Sequence, residues 1–267
     1  MSQGKSVAMT VVFGPPTEKL DYTFLSFAKN PGLELHAFII AERLPEQRFP
    51  QIQYHLVKPT SDFSHPLREV YFRRYELLDE VGSEFAIIVD CYDVLCLQPL
   101  PELSHLVGGA ALGACVELSG GRYLQGQGYT SSYLNAGVTY WNVPKSREIR
   151  ARIVERGRSS FRNLVDDQIC LNEVVQTRYY DQLRILPCQY NFRANFKVRQ
   201  RGVPMVDHLD GVVVYHNSAS MELAKKLVGL KAKAELSDLP RDSAPVTPLG
   251  QSWRRLKQRI KPHVAKS

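Results

Sequence analysis

An α/β fold, with a mostly parallel central sheet flanked by helices, is predicted for this chain from three observations. Apolar runs of strand length alternate with segments of helical period along residues 6–90, the pattern of strands joined by crossover helices. The first of these runs is apolar throughout rather than at every second position, as in a strand covered on both faces. One of them, "AIIVDCYDV" at 86–94, ends in a carboxylate, at the sheet edge where ligands of such folds bind.

The elements follow in order. "SVAMTVVFG" (6–14) is a strand, a helix follows near 17–29, and "LELHAFIIA" (33–41) is a second strand. "IQYHLV" (52–57) is a third, before a helix over 66–81 and the strand "EFAIIVD" (84–90). "ELSGGRYLQGQGYTSS" (117–132) holds four glycines among polar and aromatic residues and reads as a flexible loop able to act as a lid. Beyond it come a strand "YLNAGVTYWNV" (133–143), helices near 145–158 and 166–176, and the strands "QLRILP" (182–187) and "GVVVYH" (211–216). Residues 237–250, with three prolines, read as a linker. No internal repeat is visible.

A chain of 267 residues with 44% hydrophobic content can bury one large core. The expected organisation is a domain over 1–236, the linker 237–250 and a tail over 251–267. No stretch approaches the roughly 20 apolar residues of a membrane span, and the N-terminus shows no cleavage signal, so a cytoplasmic location is expected. Five cysteines, an odd number set mostly in apolar or helical runs, behave as free thiols. Of the net charge of +7, six positive charges lie in the tail, at Arg254, Arg255, Lys257, Arg259, Lys261 and Lys266. The body is nearly neutral and lacks the basic face of a nucleic-acid binder. In the tail, Trp253, Leu256 and Ile260 at helical spacing among basic residues suit peripheral contact with an anionic membrane through 251–261, or else a disordered basic tail.

The chemistry starts from Asp90 and Asp93. Residues three apart on a strand point to opposite faces, so the two carboxylates can meet only if the chain turns between them. Once together they repel unless a proton or a cation is shared, and hard oxygen ligands with one imidazole suit magnesium or manganese. The alternative is that Asp90 caps a turn and Asp93 starts the next segment. His216, at the end of "VVVYH", is expected at the same edge of the sheet. In the helix over 66–81, Leu67, Val70, Tyr71, Tyr75, Leu78 and Val81 form one apolar stripe with Arg74 as its one charged member. Arg73 is expected to face outward with Glu69, Glu76 and Glu80 and to pair with Glu69. An arginine on a buried stripe needs an anion, either a ligand phosphate or a core carboxylate, unless it snorkels out to solvent.

Together, "FRRYELLDEVGSEFAIIVDCYDVLCLQPLPEL", "YLNAGVTYWNV", "DDQICLN", "ILPCQYNF" and "VVVYHNS" resemble, in this order, the blocks of glycosyltransferase family 8 and its relatives. The resemblance covers residues 6–220 and implies a GT-A fold, a Rossmann-like mixed sheet that binds sugar nucleotides. It implies that Asp93 is the last aspartate of the family's Asp-x-Asp and that, with His216, it holds the manganese bridging the donor's diphosphate. Cys91 stands at the position of the first aspartate; Asp90, one residue earlier, gives an Asp-x-x-Asp variant similar to that of collagen lysyl hydroxylases. Arg74 matches an arginine that contacts the sugar nucleotide. Asn135, Ala136 and Gly137 match the block beside the donor sugar, where a glycine lets backbone approach a ligand, though it equally suits a strand bulge. Asp167 and Gln168 match an Asp-Gln pair near the anomeric carbon, in a first helical turn where a carboxylate also serves as a cap. Lys225 or Lys226 would take the place of a phosphate-binding lysine.

The implied activity is a retaining, metal-assisted transfer of a hexose from a nucleotide-sugar, a UDP-sugar by resemblance, to a glycan or lipid-linked acceptor. Front-face attack is favoured over a covalent intermediate, because Gln168 is a poor nucleophile. The competing readings are a degenerate glycan-binding or scaffold protein of the same fold, and a phosphatase with an aspartate nucleophile. The phosphatase motif wants its second aspartate at i+2, where this chain has Tyr92.

Overall fold

The computed structural model describes residues 5–14, 23–46, 48–60, 66–117, 133–159, 166–193, 199–200, 203–204 and 211–216. The linker 237–250, the tail 251–267, the glycine-rich segment 119–132, Lys225 and Lys226 lie outside the described residues, as does the first part of the helix expected at 17–29. In its described part, residues 23–24 are α-helical and Leu25–Lys29 is a 3-10 helix. Among the described residues no helix is long and apolar enough to cross a membrane.

Strands β1 (Ser6–Phe13), β2 (Leu33–Ile40), β3 (Ile52–Val57), β4 (Phe85–Val89), β6 (Leu112–Val116), β7 (Leu134–Asn142) and β8 (Leu183–Leu186) form a seven-stranded sheet in the order β3-β2-β1-β4-β7-β6-β8. Only β7 runs against the rest, since its pairings with β4 and β6 are antiparallel and all others in the sheet are parallel. The sheet is therefore mixed and mostly parallel, as predicted. Successive residues of β4 explain its apolar run: Ala86 and Ile88 enter the core on one face, Phe85, Ile87 and Val89 the core on the other.

The first core is roofed by helices α1 (Pro66–Glu76), α3 (Arg147–Ser159) and α4 (Asp166–Arg178). The opposite face is covered by Phe24, Leu25, Phe27 and Phe49 and by the short helix α2 (Leu103–Val107). Strand order reverses between β1 and β4, because β2 and β3 lie to one side of β1 and β4 to the other. In open sheets of this kind ligands bind at such a switch point, beyond the carboxyl ends of the two strands.

Three departures from the sequence reading bear on the site. The helix expected over 66–81 is α-helical to Glu76, then tightens to a 3-10 turn over Leu77–Val81, closed by Gly82 at φ 60°. Its faces are not divided as predicted: Glu69 is buried and accepts from the Thr60 amide and hydroxyl at 2.8 and 2.9 Å, while Phe72 is fully buried and Leu67, Val70 and Tyr71 only half so. The cause is that α1 is clasped on two sides, by the sheet and by α3, where Gly157 leaves space for the Phe72 ring. The expected Arg73–Glu69 pair is present at 3.4 Å, with Arg73 itself only slightly exposed.

The third departure is the last strand. β12 (Val214–His216) does not extend the main sheet; it sits between β5 (Val94–Cys96) and β9 (Phe192–Arg193) in a separate three-stranded sheet. β10 (Arg199–Gln200) and β11 (Val203–Pro204) pair antiparallel as a separate two-stranded sheet.

A candidate metal and sugar-nucleotide site at the end of strand β4

Strand β4 ends at Val89, Asp90 follows, and residues 91–93 make the turn that the sequence required before β5 begins at Val94. The turn is tied down by the Thr23 hydroxyl, which donates to the Cys91 carbonyl at 2.9 Å. β12 pairs antiparallel with β5, setting His216 opposite Val94. This register, rather than a place on the main sheet, carries the imidazole to the two aspartates. His216 Nε2 stands 3.7 Å from Asp90 Oδ2 and 3.7 Å from Asp93 Oδ1, and one ligand atom from each of the three residues falls within 4.8 Å of the others. Two carboxylates and a fully buried imidazole at that spacing fit a divalent cation with mixed oxygen and nitrogen ligands.

Gly137 forms the floor of this cluster. A Cβ there would stand 2.5 Å from Asp90 Oδ2 and closer still to His216 Cε1. The space above Gly137 is thus filled by two of the candidate ligands. The register of β7 against β6 also breaks here: Ala114 pairs with Thr139 and Val116 with Leu134, so residues 135–138 of β7 stand against Cys115 alone and Gly137 lies within the irregular stretch, as the strand-bulge reading also expects.

Arg74 lies beneath the cluster, 3% exposed. It donates to Asp90 Oδ1 at 3.0 Å and to Asp167 Oδ2, so its guanidinium spans two of the predicted site carboxylates. Burial works against its charge, but Tyr75, Asp167 and Asp90 outweigh that and hold its pKa above the ordinary arginine value. Of the two anions that the sequence left open for Arg74, the structure supplies core carboxylates. Burial pushes the Asp167 carboxyl up to about 6; the Arg74 charge and the backbone N–H groups of Asp167 and Gln168, at the start of α4, oppose the rise.

Gln168, next on α4, is oriented by backbone. The Ala136 amide donates to Gln168 Oε1 at 3.0 Å, as does Asn135 Nδ2 at 3.1 Å. Asn135 Nδ2 also donates to buried Glu117. Asp90, Asp93, Asn135, Ala136, Gly137, Asp167, Gln168, His216 and Arg74 are therefore brought together near the carboxyl end of β4.

Four further residues belong to the same surroundings and were not singled out in the sequence. Tyr75, fully buried, has its hydroxyl 3.4 Å from Arg74, and Tyr71 has its phenol raised by burial and by the nearby Asp167 and Asp90 charges. Both lay on the apolar stripe, where an aromatic reads as core. Asn191 and Glu117 enter through contacts with His216 and Asn135. For Asn191 the available signal was its place in the block "ILPCQYNF"; Glu117 had none.

No family model matches the sequence, and no curated protein matches it. Solved structures do. The galactosyltransferase LgtC, solved in complex with donor and acceptor sugar analogs, is 18% identical and superposes with a TM-score of 0.61, covering 94% of this chain and 99% of LgtC. The glycosyltransferase GlyE of Streptococcus pneumoniae TIGR4 is 16% identical with a TM-score of 0.57, covering 89% of this chain but 63% of GlyE. Its apo form, 17% identical, gives 0.55. The order of the seven-stranded mixed sheet and these likenesses lead to one conclusion: the chain has the GT-A glycosyltransferase fold.

Proposed function

We propose that this chain is a retaining glycosyltransferase that moves a hexose from a nucleotide-sugar, a UDP-sugar, to a glycan or lipid-linked acceptor with the help of manganese or magnesium. The observation that carries the reading is the meeting of Asp90, Asp93 and His216 at the switch point of a GT-A fold. Asp90 and Asp93 would supply oxygen ligands and His216 a nitrogen ligand. A divalent cation bound there would take up the negative charge that develops on the donor's diphosphate as the glycosyl bond breaks.

The surrounding residues support transfer by orientation. Arg74 acts through the two carboxylates it holds, fixing Asp90 for its ligand role and keeping Asp167 near the cluster. Gln168 has its oxygen engaged by the Ala136 amide and by Asn135, so what its side chain offers is an NH2, a hydrogen-bond donor. A donor suits the positioning of sugar hydroxyls and speaks against a covalent glycosyl-enzyme on Gln168, leaving front-face attack. Asn135, Ala136 and Gly137 form the backbone edge beside the donor sugar.

Calorimetric binding of UDP with and without Mn2+, on wild type and on Asp93→Asn, tests the reading. Metal-dependent binding that the substitution removes is the expected result and opens the way to screening UDP-sugars for transfer. If no nucleoside diphosphate binds with any divalent cation, the transferase reading fails and a non-catalytic glycan-binding scaffold is the better account.

A further inference from the structure

The amide groups behind the candidate metal cluster are polarised in one direction only. Asparagine and glutamine side chains are ambiguous until something that can only donate fixes them. Here two backbone N–H groups do so. The Gly137 amide donates to Asn135 at 2.9 Å, so the group facing it is Oδ1; the Ala136 amide donates to Gln168 at 3.0 Å, so the group facing it is Oε1. Asn135 Nδ2 is then the donor toward Gln168 and Glu117. Asn191 contacts Asn135 at the same Oδ1, 2.8 Å away, and must present its Nδ2 there. Its Oδ1 is left facing His216 Nδ1 at 2.9 Å. An amide oxygen cannot donate, so Nδ1 carries a hydrogen.

We infer that Asn191, itself oriented by Asn135, is a positioning residue that keeps the proton of His216 on Nδ1 and so dedicates Nε2 to the Asp90–Asp93 pair. The direction matters because a neutral ring with its hydrogen on Nε2 would carry its lone pair on Nδ1, pointing away from the two aspartates that stand 3.7 Å from Nε2. The relay excludes that tautomer: the hydrogen is held on Nδ1 and the lone pair is left on Nε2. Burial makes the restraint effective, since His216, Asn191 and Asn135 are 0, 1 and 2% exposed and water has little access to substitute for a missing partner. Orientation of a ligating histidine through its second nitrogen is worth 10- to 100-fold in metal affinity in other sites.

This inference rests on the metal reading for its purpose, but the proton position is measurable without any metal. Long-range proton–nitrogen correlation spectra of the metal-free protein labelled with 15N-histidine, with His216→Asn as the assignment control, report which ring nitrogen carries hydrogen. The expected result is a protonated Nδ1 in wild type, unchanged when Mg2+ is added. In Asn191→Leu, of similar size and without polar atoms, Nδ1 should lose its proton in the neutral ring, and Mn2+ affinity measured by electron spin resonance should fall about 10- to 100-fold. Asn191→Asp keeps an oxygen against Nδ1 and, as the buried neutral acid, can still donate to Asn135; it should recover most of that affinity. A purely structural role predicts instead that both variants lose affinity in step with thermal stability. A bare Nδ1 in wild type, or an Asn191→Leu protein that binds Mn2+ as wild type does, overturns the inference. A wild type with protonated Nδ1 that takes up no Mn2+ upholds the relay and overturns the metal reading of the cluster.

Discussion

Gly137 and Asp167 show how much of the site hangs on single positions. Replacing one hydrogen of Gly137 by a methyl group puts carbon against Asp90 Oδ2 and the His216 ring, and neither can retreat: Asp90 is held by Arg74 and His216 by Asn191. Overpacking of this kind costs about 1–3 kcal/mol. Gly137→Ala should therefore lower stability by that amount in urea denaturation and, unlike an equally destabilising core change elsewhere, abolish Mn2+-dependent UDP binding in calorimetry. Asp167 sets a pH limit. With its carboxyl pushed up to about 6, it is ionised at pH 7 and protonated below that value, when Arg74 loses the charge of one of its two partners. Transfer should fall as pH drops through about 6, and a kcat/KM profile of Asp167→Asn should lack that inflection while lying well below wild type at pH 7. A wild-type rate that stays flat down to pH 5 would remove Asp167 from the chemistry.

Strands β2 and β3 carry a cluster of titratable side chains, and it ties stability to pH. His36 and His55 are stacked at 4.9 Å and joined by a 3.0 Å hydrogen bond; Glu34 is beside His36, with Gln53 and Lys5 also on Glu34, and Phe38 stacks on His55. Burial lowers both histidines below their ordinary 6.5, His36 against the pull of Glu34 and His55 with the help of the His36 charge. The unfolded chain thus binds protons in a range where the folded chain does not. Stability from this pair is fully present above about 6.5 and is lost as pH falls through 6.5 toward the depressed folded values. Thermal unfolding at pH 7 and at pH 5 should show a lower Tm at pH 5, and His55→Gln, which removes one of the coupled sites, should reduce the difference. An unchanged difference would mean that other groups govern the acid side.

The site joins two sheets that have no strand in common. Asp90 and Gly137 come from the main sheet, and His216 and Asn191 are held at the small one; Asp93 lies in the turn that leads from one to the other. A ligand that grips Asp90, Asp93 and His216 together binds only the folded assembly and must stabilise it by mass action, about 2.7 kcal/mol at one hundred times its dissociation constant. For a chain of this size that corresponds to a rise in Tm on the order of 5–10 °C. UDP with Mn2+ should produce the rise in wild type and not in His216→Asn, whereas a rise that survives in the variant would mean that the nucleotide binds elsewhere.

The strands of the main sheet other than β6, the order of their blocks and the turn after Asp90 were legible along the chain because each depends on residues close together: apolar runs of strand length, a carboxylate at a run's end, an Asp-x-x-Asp that cannot converge without a bend. Arg74 announced itself in the same way, as a charge on an apolar stripe. Its partners did not, because Asp90 and Asp167 reach it from 16 and 93 residues away. The burial of Glu69 and Phe72 depended on α3 closing over α1, which helical period cannot express. His216 was expected at the sheet edge and instead reaches the aspartates through β5 and β12, a pairing of strands of three residues each, too short to carry a pattern. Glu117 was invisible as a site residue and Asn191 was marked only by its place in the block "ILPCQYNF", since an amide or a carboxylate gains its meaning from the partner it faces. Local chemistry fixed which residues could serve; packing between distant segments fixed which of them meet and which way their hydrogens point.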